Sequence, residues 1–236
     1  HSVSRLSIML GKTDIRYETK YLVENRVLLH ALLDNYYTPD QQYPLGYIFN
    51  VHFDTLDLRA YEEKKAGDLS KSKLRARWYS ESAELTLPTA IKVENKRKQD
   101  RLVTKHSLSL TIKAASIFDL LDPFFWEPLF QNKLPAGNLV VTRKFYPVLI
   151  SGYRRQRYID PMTGARISLD EHIQSYAIST LLTATNENKI LLPQTILEVK
   201  SGRSSCPQIL ANFNCMQEHT FSKYASLLSE HLQGRE

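Results

Sequence analysis

The sequence predicts an α+β fold, an antiparallel β-sheet flanked by helices, with one sheet face becoming a lumen if the strands close into a barrel. Three observations predict it. Six segments alternate charged residues with apolar or small ones at the two-residue period of a β-strand. The string Asp160-Pro161-Met162-Thr163-Gly164 carries the turn residues of a hairpin between two long β segments. Apolar residues at helical spacing occur near both ends of the chain.

From the N-terminus, Ile15 to Tyr21 alternates as a strand, and Val23 to Tyr36 sets Val27, Leu28, Ala31 and Leu32 at helical spacing. Gly46 to Asp54 is β-rich, and Thr55 opens a short amphipathic helix ending near Gly67. Charged strands follow at Lys73–Tyr79, Ala90–Lys98 and Leu102–His106, with a turn at Gln99-Asp100, and read as a meander. Helices are expected at Leu108–Phe118 and around Leu120–Leu129. A long strand, Val148–Ile159, closes on the 160–164 turn and returns as Arg166–Ile173. A last strand, Thr195–Lys200, precedes helical segments at Pro207–Phe213 and Phe221–Leu232. No repeat, low-complexity tract or linker interrupts this order, so residues 14–236 read as one domain behind an extension of residues 1–13.

Composition narrows the function. With 236 residues, 42% of them hydrophobic, the chain can bury a sizeable core, which excludes wholesale disorder. Lys and Arg total 31 against 25 Asp and Glu, a formal charge of +6 that suits a polyanion: nucleotide, polyphosphate, nucleic acid or acidic lipid. Cys206 and Cys215 form neither a CxxC pair nor a zinc spacing and read as thiols of a reducing compartment. The greasiest stretch, Ile117 to Phe130, is broken by Asp119, Asp122, Pro123, Glu127 and Pro128, well short of the ~18 apolar residues of a membrane span. A soluble, cytoplasmic domain is therefore expected. The chain starts at His1 with no signal-peptide pattern, which reads as trimming from a larger protein.

Sorting strand residues by parity is more informative. Arg16, Glu18 and Lys20 share one face; so do Lys73, Arg75, Arg77 and Tyr79; and Lys92, Glu94, Lys96 and Lys98. Tyr153, Arg155 and Arg157 align, as do Arg166, Ser168 and Asp170, and Glu198 with Lys200. One such face is ordinarily the solvated side of a sheet. Six faces dominated by cations call for a polyanion, since clustered like charges repel in a partly desolvated site. In a closed barrel, about eight strands leave an interior that a small ligand can fill. Arg offers bidentate donors to phosphate and Lys adds point charge, which marks Lys73 and Lys200 with the rest. Glu18, Glu94 and Glu198 then suit Mg²⁺ or Mn²⁺ bridging phosphates.

The strings R-Y-E-T-K-Y at 16–21, F-D-T-L-D-L-R-A-Y at 53–61, K-L-R-A-R-W-Y at 73–79, V-E-N-K-R-K at 93–98, R-I-S-L-D-E at 166–171, L-E-V-K at 197–200 and S-K-Y at 222–224 add a resemblance. In this order and spacing the chain resembles the VTC (vacuolar transporter chaperone) domain of polyphosphate polymerases, within the triphosphate tunnel metalloenzymes. The resemblance implies a closed tunnel of antiparallel strands in which ATP donates its γ-phosphate to a growing inorganic polyphosphate chain, with Mn²⁺ or Mg²⁺. Lys20, Arg75, Arg77, Lys96, Lys105, Arg155 and Arg166 then look like phosphate-binding cations, with Arg75, Arg77, Lys96, Arg155 and Arg166 as the catalytic group. Glu198 looks like the principal metal ligand, and Ser222 and Lys223 look like positions meeting phosphate at a tunnel mouth, where a helix N-terminus also favours an anion. A membrane-protein partner receiving the product is implied in the same way.

Two departures stand out. Arg16 replaces the first Glu of the E-x-E-x-K opening found in many tunnel enzymes, which disfavours a simple triphosphatase. Gly152 replaces an aromatic residue before Tyr153 and leaves Arg154 and Arg155 competing for the inner face, with Arg155 favoured by alternation with Tyr153. Alternatives to a polymerase are a tunnel-fold triphosphatase or polyphosphatase, a non-catalytic polyphosphate-binding module, and a nucleic-acid-binding sheet using Tyr and Trp as stacking platforms. Trp78 lies on the apolar face of its strand, away from Arg75 and Arg77, so no nucleic acid is expected.

Overall fold

A computed structural model describes residues 17–68, 71–99, 102–133, 143–182, 189–202 and 206–233. The extension of residues 1–13, with Ile15, Arg16 and Asp100, lies outside the described residues. The alternating segments become one large antiparallel sheet. Its strands are β1 (Tyr17–Val23), β2 (Thr38–Pro39), β3 (Leu45–Asp54), β4 (Lys71–Ser80), β5 (Ala90–Gln99), β6 (Leu102–Thr111), β7 (Tyr146–Ile159), β8 (Arg166–Ile178), β9 (Thr195–Ser201) and β10 (Met216–Glu218). They pair in the order β10-β1-β9-β8-β7-β3-β4-β5-β6, with β2 added beside β7.

Helices fill the connections. Asn25 accepts from the Leu28 amide and starts α1 (Arg26–Tyr36), which is why the chain leaves β1 at Val23 instead of entering a helix there. α2 (Arg59–Lys65) is capped by Asp54, whose carboxylate accepts from the Thr55, Ala60 and Tyr61 amides at 2.8–3.0 Å. A 3₁₀ turn at Ile117–Leu121 leads into α3 (Pro123–Pro128), then α4 (Gln208–Ala211) and α5 (Lys223–Gln233) follow β9 and β10.

The helix expected over Leu108–Phe118 is absent; its first part is strand β6. Ser107, Leu108, Ser109, Leu110, Thr111 and Ile112 alternate with period two, and β5 supplies a partner, with Val93 opposite Leu108 and Ile91 opposite Leu110. The alternation was in the sequence, but its meaning depended on an adjacent strand edge.

Parity separates the two faces. Phe49, Val51 and Phe53 of β3, with Leu74, Ala76 and Trp78 of β4 and Ile91 and Val93 of β5, pack against Leu120 and Trp126. Further round the same outer face, Ile167, Leu169, Leu197 and Val199 pack against Leu29 and Leu33 of α1 and Leu210 of α4. Ile48, on the other face of β3, joins Tyr153, Ile173 and Ile196 against Tyr224, Leu227 and Leu228, so α5 covers one end of the inner face.

The sheet curls toward that inner face. Glu18 of β1 and Lys96 of β5 meet at 3.3 Å although five strands separate β1 from β5 in the pairing order. Among the described residues, backbone pairing does not close the ring. Irregular register in β7–β8 accompanies the curvature, with shifts between Ile150 and Ser151 and between Gly152 and Arg154. Opposite them His172 adopts a left-handed φ of 50°. Gly152 is required by packing: a Cβ there would stand 2.7 Å from ring atoms of both Phe49 and Tyr176.

Candidate functional site

The inner face gathers charge from seven strands and the start of α5. One network centres on Glu94, which is buried. Arg75 reaches its Oε2 at 2.6 Å, Lys105 reaches Oε1 at 2.7 Å, and Arg77 lies at 3.8 Å. Arg77 is fixed in turn by donating to Asn50 Oδ1 at 2.9 Å and to the Tyr153 hydroxyl at 3.2 Å. A second network centres on Asp170, which is 0% exposed. Arg155 grips both its oxygens, at 2.5 and 2.7 Å, and Lys223 reaches Oδ2 at 2.6 Å. The Lys223 ammonium also sits over the Tyr153 ring, 4.5 Å from its centroid. Glu198 joins this network to a third: it lies 3.9 Å from Arg155 and 2.5 Å from Lys200, while Glu18 holds Lys96 at 3.3 Å and Lys20 at 3.6 Å.

These contacts set the protonation states. Burial would raise the Asp170 carboxyl, but Arg155 and Lys223 overrule it and hold it down at about 2. The same contest, burial against cations, leaves Glu94 and Glu198 well below the usual carboxylate range. Burial also opposes the Tyr153 phenol's ionisation, yet Arg77, Arg155 and Lys223 draw it below its ordinary value. The three carboxylates are thus anionic and neutralise some of the cations around them. Lys73 is left over. Burial, then the charges of Lys20, Lys96, Lys64 and Arg75, push its ammonium down to about 7, and among the described residues it has no carboxylate partner. An inner face with surplus positive charge is built to receive an anion.

Lys20, Arg75, Arg77, Lys96, Lys105, Arg155, Lys200, Lys223 and the three glutamates thus share the inner face, tied into ion pairs. Arg154 points to the outer face, where it pairs with Glu171 at 3.1 Å, leaving Arg155 inside. Two positions sit at the start of α5. Ser222 is buried and its hydroxyl accepts from the Ala225 amide at 3.4 Å, so it caps α5. Lys223 is 14% exposed and committed to Asp170, because α5 packs onto the face and carries it inward. Arg166 is exposed at the start of β8, opposite Lys200, without an ion pair among the described residues.

Sequence reasoning passed over Asp170, Asn50, His52 and Tyr153 as members of the site. Asp170 shared a face with Arg166 and Ser168, and the absence of other aspartates from these faces was the available signal. Asn50 and His52 alternate with Phe49, Val51 and Phe53 in a strand whose apolar half drew the eye. His52 is neutral, held so by burial and by Arg75, Arg77 and Lys73, and it bonds Ser151 Oγ at 2.8 Å.

Among the described residues no group of three or more His, Cys, Asp or Glu could hold a metal alone. A hard divalent cation does not need one, because Mg²⁺ commonly takes one or two carboxylates and completes its shell with substrate phosphates. Glu198 and Glu18 fit that pattern: they lie on adjacent strands, and the Glu198 charge bears on Glu18. Glu94 lies apart from that pair on β5, its oxygens engaged by Arg75 and Lys105 much as those of Glu198 are by Arg155 and Lys200.

Fold and site together define an antiparallel sheet domain with a cation-rich inner face. The chain belongs to the VTC domain family, whose match runs over residues 15–229. No curated protein matches the chain. Among solved structures it is similar to a candidate adenylate cyclase of Bacillus halodurans, at 12% identity over 94% of this chain and 88% of that one, with a TM-score of 0.44. It is likewise similar to a candidate adenylyl cyclase of Hippeastrum described as having a dominant triphosphatase activity, at 13% identity, 90% and 95% coverage and a TM-score of 0.45. A candidate adenylate cyclase of Vibrio parahaemolyticus is similar at 12% identity, 92% and 86% coverage and a TM-score of 0.40. Among the described residues no helix is long and apolar enough to cross a membrane.

Proposed function

We propose that the domain is a polyphosphate polymerase that binds ATP and inorganic polyphosphate on this inner face and moves the γ-phosphate onto the chain end. The observation that carries the reading is the cation set of Arg75, Arg77, Lys96, Arg155 and Lys223, preorganised by Glu94, Glu18 and Asp170 in a VTC domain. Phosphoryl transfer depends mainly on positioning and electrostatics, which this face supplies without a Ser, Cys or His nucleophile. A terminal oxygen of the chain forms the new bond to the γ-phosphorus, and the bond to the bridging oxygen breaks with its electron pair leaving on ADP. No proton needs to move.

Arg75 and Arg77 would hold phosphate oxygens through guanidinium forks whose other donors are already fixed. Arg155 and Lys223 would meet the charge spread over the transferring group. Glu198, with Glu18, would hold Mn²⁺ or Mg²⁺, which when bound neutralises phosphate charge.

Incubation with ATP, Mn²⁺ and a short polyphosphate primer tests the reading. Acid-stable polymer that lengthens with time supports it, and Arg155→Ala should reduce the rate by two orders of magnitude or more, on the order of one lost transition-state contact. Release of inorganic phosphate without chain growth would assign hydrolysis instead.

A further inference from the structure

Beyond the carboxylate-anchored networks lies a group of lysines of different character. Lys64, near the end of α2, donates to Thr220 Oγ1 at 3.1 Å, just ahead of α5. Lys71 and Lys73 project from the same face of β4, two residues apart. Lys64 is near enough to Lys71 and Lys20 for their charges to lower its pKa after burial, and Lys73 feels Lys64, Lys20 and Lys96. Among the described residues, none of Lys64, Lys71 and Lys73 has a carboxylate within ion-pair distance. Glu63, on the same helix as Lys64, is turned to Arg59, Arg143 and the Ser72 amide.

The contrast with the inner site carries meaning. There, cations are locked by Glu94, Asp170 and Glu198 in fixed geometry. Here the donors are all ammonium groups on flexible stems, which make point-charge contacts without fixing the register of the anion. Mutual repulsion is left uncompensated, so the cluster is stabilised only when an anion arrives. Its link to the inner site is continuous, because Lys20 and Lys96 belong to both. We propose that Lys64, Lys71 and Lys73 form a second phosphate subsite, which takes the units of a linear polyphosphate beyond those held by Arg75, Arg77, Arg155 and Lys223. This rests on the reading of the inner face as a phosphate site.

The test compares tripolyphosphate with a polyphosphate of some tens of units, titrated by calorimetry at one fixed salt concentration, on wild type, Lys64→Ala/Lys71→Ala and Lys64→Glu. Both substitutions relieve repulsion, so thermal stability should be kept or raised. The expected result is tighter binding of the long chain by wild type, a loss of about tenfold in that binding in the double variant, and a change under twofold for tripolyphosphate. Equal losses for both ligands, or none, would overturn the second subsite while leaving the inner one standing. Wild type that fails to bind tripolyphosphate would overturn the inner-face reading itself. A single-stranded RNA oligomer or anionic phospholipid vesicles showing the same loss as the long polyphosphate would reduce the cluster to an unspecific basic patch and reject the proposal.

Discussion

Asp170 stands at the centre of the inner face and holds Arg155 and Lys223 together. Removing its charge strands two buried cations, so Asp170→Ala should cost about 3–5 kcal/mol in urea unfolding. Added tripolyphosphate should restore part of that loss by replacing the missing counter-charge. The sign of its pH dependence follows from a folded pKa near 2, below the ordinary carboxylate value: the contribution is complete above about pH 4 and is lost as pH falls toward 2. Lys73 has the opposite character. Its folded pKa of about 7 lies below the unfolded value near 10.4, so the unfolded chain binds more protons between those limits and stability rises with pH across that window. Lys73→Met should therefore raise the melting temperature at pH 6.5, with a smaller gain at pH 9, while weakening polyphosphate binding. Much of this was legible in sequence, because Arg75, Arg77, Lys96, Arg155 and Glu198 sit on strict period-two faces that a strand cannot scramble. What parity could not give was partners. Glu18 and Lys96 are 78 residues apart, and Lys223 reaches Asp170 only because α5 folds back over the sheet.

At the scale of elements, two of the family's strings prove to be joined. The Tyr224 hydroxyl of S-K-Y donates to Asp54 of F-D-T-L-D-L-R-A-Y at 2.7 Å, so the residue that caps α2 also pins α5 across the end of the inner face. Asp54→Ala and Tyr224→Phe should show coupling of about 0.5–3 kcal/mol in a double-mutant cycle. Gly152→Val should destabilise by about 1–3 kcal/mol, since the added carbons meet Phe49 and Tyr176; the measurement is the shift of the urea midpoint at constant slope. The departure from an aromatic at position 152 is thereby explained by the rings already packed there. Strand β6 shows the limit of reading one segment by itself: its Ser–Leu alternation gains its meaning from pairing with the preceding strand β5.

For the whole molecule, the formal charge of +6 is unevenly distributed, because the inner face concentrates cations from strands distant in sequence. Tripolyphosphate should accordingly raise the melting temperature in a concentration-dependent way, and the rise should shrink at high salt. The seam between β1 and β5 has a mechanical consequence. Side chains meet there through Glu18 and Lys96, whereas no backbone ladder joins β1 to β5 among the described residues. Such a contact works as a clasp: it parts at an ion pair that leaves every strand pairing intact. A polyphosphate carrying a bulky block at each terminus, unable to thread a closed ring, should still be admitted sideways, and Glu18→Lys should prop the clasp open and quicken its entry and escape.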